Sequence, residues 1–591
     1  MKIFLITGNR YFYLLFCASL ALNWFFHKDA ERFNDRFELW SDRAGYYIYL
    51  PATFFYHFDA RSMPADLDIS TGGGFSLDTV HNKVDTKYTC GVALLASPFF
   101  LASGLVSRIA GYDAESGFSM IYMRMMGLAA VVYLMLGLWL LRKFLDRRFP
   151  AAVSLTVVTL VFLGANLFYY SLIDGMMSHV YSFFLFSVFL YALQEYLLSG
   201  NYRHFILLSL ALSLAILIRP TSIILGLLVF TWDAGSLAGC RKRIIHFLRP
   251  SHSLVFLSIL LLVFLPQLIY WKYLTGSWIH FSYAGEGFTN WRHPRIAEVL
   301  FSPVNGLFAY TPLALLMLAG IILMIARGKR NGWPVAAVFA VVTLAFASWK
   351  MWYFGCSYGQ RSFVEYYAVL ALPLAWLFDG LFKNRSFALK TILLFVVFFM
   401  VYANLRYTIV LYRFDRCAYG STWDWDHYLR SFERAGVISP VRRTGTFKND
   451  FENLAIFPGR RPSARFTRSG QYSFRCGGKE DGVPLWSSML RDFKYPWPKI
   501  MEAELWVLAP GRRPGLAVLV CECSMGGKTL FSDSALAAME PMKWTRLGKT
   551  FLIPDVNDSS LTITLRVADP GRALLFADDL SLRFRYGWSG E

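Results

Sequence analysis

Asp42 lies in Trp40-Ser41-Asp42-Arg43-Ala44-Gly45-Tyr46-Tyr47, just beyond the first apolar run, and Lys87-Tyr88 follow in the same polar-bearing stretch. Transfer of a group from a phosphate leaving group to a hydroxyl needs a base for the acceptor's proton and cations or donors for the departing phosphate. Asp42 suits the base, and Tyr46 falls one helical turn beyond it, within reach of an acceptor or sugar. The plainer reading is that Ser41 or Asp42 caps a helix starting there, which is compatible with the first.

Lys87 with Tyr88 is the first candidate for the phosphate, by position in the same stretch. Arg361 is the second. It closes Trp352-Tyr353-Phe354-Gly355-Cys356-Ser357-Tyr358-Gly359-Gln360-Arg361, a turn whose glycines and aromatics let backbone, guanidinium and Tyr358 approach a ligand closely. Arg219, in Arg219-Pro220-Thr221, interrupts an apolar run; it contacts the same ligand or snorkels to lipid headgroups, the reading the sequence favours. Asp174-Gly175-Met176-Met177-Ser178-His179 forms a second polar cluster. There Asp174 or His179 orients the acceptor, or binds a divalent metal together with Asp42, although one histidine and scattered carboxylates are a thin donor set and no cofactor is implied with certainty. Glu286, with His280, His293, Trp278, Trp291 and Arg292, lies in an aromatic loop that meets sugar or lipid, or anchors the chain at the membrane interface.

The elements that hold these residues are membrane helices. The 591 residues are 55% hydrophobic and 17% aromatic, with only 17% charged, and a mean hydropathy of +0.40 is far from that of a soluble domain. About eleven apolar stretches near spanning length recur through residue 410. Arg142, Lys143, Arg147, Arg148, Arg241, Lys242, Arg243, Arg249, Arg327, Lys329, Arg330, Lys383 and Arg385 all fall on one side when the spans are threaded alternately, which makes that side cytoplasmic. The candidate residues, and everything after about Leu411, then face outward, as in a multi-pass inner (cytoplasmic) membrane protein with an extracytoplasmic site. The net charge of +19 is mostly topology and does not point to nucleic acid. Lys2 and Arg10 before an apolar run, with Ala18 and Ala21, also fit a secretory signal; the parity of the later spans favours an uncleaved first span.

Residues 1–410 therefore read as a membrane domain, with 27–118 as a first external loop of amphipathic segments and 411–440, including Trp423-Asp424-Trp425-Asp426-His427-Tyr428, as a linker. Residues 441–591 change to alternating, turn-punctuated runs: Glu502 to Leu508, Leu516 to Cys521, Thr545 to Ile553, Leu561 to Val567 and Leu574 to Phe584. An exported antiparallel β-sandwich or jelly roll follows. No cysteine pair has zinc or thioredoxin spacing. Cys417, Cys476, Cys521 and Cys523 lie in the exported part; Cys521 and Cys523 share a strand face, so a disulfide from Cys476 to one of them and buried free thiols are both open.

The order of first span, external loop with Asp42, Lys87-Tyr88-x-x-Gly91 to Pro98, Tyr122-x-Arg124 entering the next span, and an exported C-terminal domain resembles the GT-C superfamily of membrane glycosyltransferases. The branch it looks most like contains protein O-mannosyltransferases and aminoarabinose transferases. Where those relatives carry an acidic pair this chain has Asp42-Arg43, and their His-Pro-Pro-Leu-like stretch is here Lys87-Tyr88-Thr89-Cys90-Gly91. The resemblance implies a polyprenyl-phosphate sugar donor, an extracytoplasmic glycan, lipid or protein acceptor, and an acidic residue at Asp174 that approaches the active site. Ala577-Asp578-Asp579-Leu580-Ser581-Leu582 resembles the last strand of jelly-roll carbohydrate-binding modules, with the two aspartates structural or calcium-binding. A polymerase or ligase of lipid-linked glycans would use a similar pocket, and a transporter or flippase would need more polar or broken helices than the single Arg219-Pro220 break.

Overall fold

The computed structural model of the chain describes residues 8–28, 39–65, 67–283, 285–355, 357–410, 425, 428–429, 432, 443–449, 467–469, 473–477, 484–493, 497–510, 515–554, 560–568 and 574–586. The chain divides into two compact units, Met1–Gly420 and Ser421–Glu591. Most of the expected linker, with Cys417 and the Trp423–Tyr428 run apart from Trp425 and Tyr428, lies outside the described residues, as does Cys356.

The first unit is helical. Among the described residues five helices are long and apolar enough to cross a membrane: Gly91–Ala110, Met120–Asp146, Ser178–Ser199, Pro250–Thr275 and Phe387–Ile409. Five more apolar helical segments are shorter, Ala151–Leu163, Tyr202–Ile218, Pro220–Thr231, Leu313–Ala326 and Gly332–Ser348, so the expected count of about eleven spans is not reached by length alone. One cause is local. Pro220 has no N–H to continue the helix and pushes Arg219 into an extended conformation (φ −144°, ψ 111°). The 3-10 turn Pro220–Gly226 then packs back along the helix Tyr202–Ile218 that it has just left.

The basic loops gather at one end of this bundle. Arg147 pairs with Glu195 at 2.7 Å and Arg148 with Asp233 at 2.6 Å, and the Asp233 backbone N–H donates to Asn331 at 2.7 Å. Glu195 lies on the same helix as His179, about 24 Å further along at 1.5 Å per residue.

Residues 39–90 fold more completely than the expected chain of amphipathic segments. Helices Asp42–Tyr47, Tyr49–Phe54 and Leu67–Ser70 and the antiparallel hairpin of Ser76–Asp78 with Lys83–Asp85 enclose a core that includes Leu39, Tyr47, Ile48, Leu50, Leu67, Phe75 and Val84. Hydrogen bonds fasten this layer to helix Pro250–Thr275: Thr86 N–H to the Tyr270 hydroxyl (2.9 Å) and Cys90 N–H to Gln267 Oε1 (2.8 Å). The segment from Gly91 to Pro98 is the start of the twenty-residue helix Gly91–Ala110.

The second unit is mostly β-strand in its described residues, with Trp425, Tyr428, Leu429 and Phe432 helical and a 3-10 turn at Leu490–Asp492. One antiparallel sheet runs in the order Pro484–Met489, Thr562–Ala568, Gly515–Met525, Lys528–Met539. The other runs Arg443–Asn449, Leu574–Tyr586, Ile500–Leu508, Thr545–Leu552, with Phe474–Gly477 also pairing with Leu574–Tyr586. Each of the five strands expected from alternation is present. Met501, Ala503, Leu505 and Val507 face one core with Leu519, Ile563, Leu565 and Leu582, as a two-residue period requires. Cys521 and Cys523 are buried free thiols in that core, and Cys476 is buried beside them. Asp578 sits where the ladder slips a register before Ser581, and it accepts the backbone N–H of Arg468 at 2.8 Å, while Asp579 pairs with the Arg468 guanidinium. Both aspartates thus staple the strand to a neighbouring loop.

Candidate active site

The short helix Asp42–Tyr47 begins at the wall of a cavity of about 880 Å³. Ser41, at the N-cap, makes no side-chain cap bond and holds a left-handed φ of 54°, uncommon for a residue with a Cβ. The Asp42 oxygens are both engaged across the cavity: Oδ2 accepts from Arg361 Nη2 at 2.9 Å and Oδ1 from the Tyr88 hydroxyl. Gly45 makes the second contact possible. A Cβ there would lie 2.2 Å from Tyr88 Cδ2 and 2.4 Å from the Gly74 carbonyl, so only a bare backbone lets the Tyr88 ring lie over the helix.

Burial pushes the Asp42 carboxyl up, but Arg361, the Tyr88 hydrogen bond and Lys87 together outweigh it and hold it below its ordinary value. Asp42 is therefore ionised at neutral pH. Burial and the adjacent Asp42 charge push the Tyr88 hydroxyl up, so it stays protonated and remains a donor. Lys87 Nζ lies 3.0 Å from Glu286 Oε1 and within 5.6 Å and 5.4 Å of the Tyr88 and Tyr283 ring centres, where ring quadrupoles favour a cation. Arg43 takes Asp174 at 3.1 Å. Phe281, Phe288, Phe346, Trp349 and Phe354 supply apolar wall to the same cavity.

Arg219 and His179 complete the polar lining. Arg219 Nη1 lies 2.9 Å from His179 Nδ1, and its Nε lies 3.3 Å from Glu365 Oε1. Arg219 thus turns into the protein, with a side chain only 14% exposed, and the snorkelling orientation is not adopted.

Asp42, Lys87, Tyr88, Arg361, Arg219, Tyr46, Asp174, His179 and Glu286 are brought to one cavity. Tyr358 is not. It is buried behind the wall, its hydroxyl 2.5 Å from Asn404 Oδ1 and its ring packed edge-on against Tyr169, because Gly359 (φ 62°) turns the chain inward against Tyr310. Trp278 and Trp291 stay exposed. Missing from the sequence reading are Arg43 as partner of Asp174, Tyr283 beside Lys87, and Glu365. The last carried a signal: a lone carboxylate in an otherwise uncharged run, four residues after Arg361. A metal does not fit the donor set. Asp42 and Asp174 are each paired with a guanidinium, and among the described residues no three His, Cys, Asp or Glu side chains group as ligands.

No family model and no curated protein matches the chain. Solved structures give low-scoring likenesses. ArnT from Cupriavidus metallidurans, bound to undecaprenyl phosphate, is 14% identical over 73% of this chain and 70% of that one, with a TM-score of 0.43. The arabinosyltransferase EmbB from Mycobacterium smegmatis is 11% identical over 98% of this chain, TM-score 0.32, and this chain spans 65% of its length. A xylan-binding domain from Paenibacillus barcinonensis is 19% identical over 25% of this chain and 86% of its own, with a TM-score of 0.17.

Proposed function

We propose that this chain is a membrane glycosyltransferase of GT-C type that moves a sugar from a polyprenyl-phosphate donor to an extracytoplasmic glycan, lipid or protein acceptor. The observation that carries this reading is the cavity itself, where an ionised carboxylate, four cations and an aromatic wall converge. Asp42 acts as the base that takes the acceptor's proton, already in the ionised form that accepting a proton requires. Lys87, Arg361 and Arg219, with the Tyr88 hydroxyl, receive the donor phosphate and stabilise the charge that grows on it as the glycosidic bond breaks. Tyr46, Asp174, His179 and Glu286 line the space left for the sugar and acceptor. The aromatic wall suits an isoprenoid chain.

Sidedness supports the same reading. The Arg147, Arg148 and Arg330 loops belong to the cytoplasm by the positive-inside rule, and the cavity lies about a helix length away from the first two. The whole second unit is then exported. A transporter would carry its ionisable groups near the helix midpoints, whereas Asp42, Lys87, Arg219 and Arg361 all lie in loops, short helices or at helix ends.

The test is transfer by the purified chain in a bilayer disc from a synthetic polyprenyl phosphate sugar, joined to mass spectrometry of lipid-linked sugars and surface glycans in cells with and without the gene. Accumulation of an unused lipid-linked sugar in cells lacking the chain is expected. Unchanged lipid-linked sugars and glycans, with no transfer in vitro, would sink the proposal.

A further inference from the structure

Glu365 belongs to no motif and has no exposed side-chain surface. It closes a cluster drawn from three elements: Glu365 from the turn before helix Tyr367–Lys383, His179 from the first turn of Ser178–Ser199, and Arg219 from the break after Tyr202–Ile218. A guanidinium only donates, so His179 Nδ1, 2.9 Å from Arg219 Nη1, accepts. The imidazole is then neutral with its proton on Nε2. That Nε2 is buried and has no partner among the described residues, so His179, which belongs to the cavity lining, holds Arg219 from behind.

Glu365 Oε2 lies 3.4 Å from the same Nδ1. The Arg219 N–H already holds the lone pair of that nitrogen, so His179 gives a Glu365 carboxylate no donor, and Glu365 Oε1 has no hydrogen-bond partner among the described residues. Burial pushes the Glu365 carboxyl up to about 7, against the pull of Arg219, so near neutral pH the proton is available. The other cavity cations face carboxylates of their own: Arg361 has Asp42, Lys87 has Glu286 and Arg43 has Asp174. Arg219 faces a carboxyl that can be neutral, which leaves its positive charge free for an anion. The remaining groups around the cluster are Tyr170, whose ring is 4.8 Å from that of His179, Tyr366, whose hydroxyl donates to the Thr221 carbonyl at 3.1 Å, Tyr367, and Arg361 and Tyr46 within the cavity.

We propose that Arg219 supplies a subsite for the singly charged phosphodiester of the donor, beside Lys87 and Arg361, and that Glu365 is the positioning residue that sets the charge it offers. The inference rests on the lipid-linked donor read above. When Glu365 loses its proton, its carboxylate competes with the phosphodiester for Arg219, so affinity falls as pH rises through neutrality.

The probe is farnesyl methyl phosphate, a diester with one charge between about pH 5 and pH 9. Its binding to the purified full chain is read by fluorescence of the cavity residues Trp40 and Trp349, with inorganic phosphate and phosphatidylglycerol as separate arms. Wild type is expected to bind the probe about tenfold more tightly below neutrality than above it, as for a charge-assisted hydrogen bond gained or lost. Glu365→Gln, a neutral mimic of the protonated acid, is expected to bind tightly with a flat pH profile, and Arg219→Gln to bind weakly throughout. Calorimetry of wild type in two buffers reads the same linkage without a variant, as proton uptake on binding near pH 7. Absence of uptake, a wild-type pH profile in Glu365→Gln, or wild-type affinity in Arg219→Gln overturns the proposal. Equal affinity for inorganic phosphate or phosphatidylglycerol overturns the assignment to the donor. Failure of sugar transfer alone would instead sink the glycosyltransferase reading, since this binding is read without turnover.

Discussion

Replacing Asp42 by Asn keeps the shape of the side chain but removes both its basicity and the counter-charge of Arg361. Loss of a general base costs about 10²- to 10⁴-fold in rate, or roughly 2.7–5.5 kcal/mol of transition-state stabilisation. The ion pair is half-buried, with side chains 24% and 17% exposed for Asp42 and Arg361. Its rupture therefore costs about 1–3 kcal/mol of stability, between the values for exposed and buried pairs. Arg361→Gln alone forfeits a charge-assisted hydrogen bond of about 1.5–3 kcal/mol. The double variant separates two roles. If Arg361 acts only by holding Asp42, adding Arg361→Gln to Asp42→Asn changes nothing further; if it also receives the phosphate, the rate falls about tenfold again. Turnover of a synthetic polyprenyl phosphate sugar by each purified variant, with a thermal melt to check folding, gives the cycle. Asp42→Asn within about threefold of wild-type turnover would refute Asp42 as the base.

Gly45→Ala forces the Tyr88 ring away from Asp42 and is expected to lower turnover at least tenfold while the helix around it still forms, since overpacking costs about 1–3 kcal/mol; wild-type turnover would show that the Tyr88 contact is dispensable. Lys87→Gln should raise the donor KM about tenfold, whereas Arg295→Gln, whose side chain is 57% exposed and pairs only locally with Glu298, should leave it unchanged; equal KM values for the two variants would remove Lys87 from the phosphate site. Glu365 gives a stability profile with a definite sign. Between its ordinary value of 4.5 and about 7 the folded chain keeps a proton that the unfolded chain has released, so thermal stability should fall as pH rises across that window, and Glu365→Gln should abolish that fall. A melt that is flat in wild type over the same window would place an ionised carboxylate in the cluster.

The architecture was legible wherever a periodic or compositional signal is local. Alternation marked Glu502 to Leu508 and its neighbours because a strand with one buried face must repeat every two residues. It missed Lys528–Met539, which is largely exposed and so carries no clear apolar beat, the short Phe474–Gly477, too brief to show a period, and also Arg443–Asn449 and Pro484–Met489. Span counting gave about eleven, of which length alone supports five among the described residues, because hydropathy marks an apolar run without showing how much of it is one continuous helix, and the run around Arg219-Pro220 is two short pieces. Site residues were found by type, one at a time, and most reached the cavity. Their partnerships were not legible. Asp42 and Arg361 are 319 positions apart and Lys87 and Glu286 are 199 apart, and no local spacing encodes such pairings.

That blindness matters for chemistry, because the pairings decide which charges are spent. Read singly, Lys87, Arg219 and Arg361 are equivalent cations near a membrane surface. Read in the fold, Arg361 is committed to a carboxylate whose ionisation it reinforces, and Lys87 is tied to Glu286 at a site 40% exposed. Arg219 is held by a buried acid that can go neutral. Besides Arg43, held by Asp174, an anion entering the cavity thus meets three cations of different availability, and Arg361 is the one that keeps Asp42 ionised. A base held ionised by a neighbouring cation is a weak base until that cation is drawn elsewhere. A donor phosphate that engages Arg361 would loosen its grip on Asp42 and raise the basicity of the carboxylate only when substrate is present. Proton abstraction would then be coupled to donor binding by the same hydrogen bond that holds the empty site together.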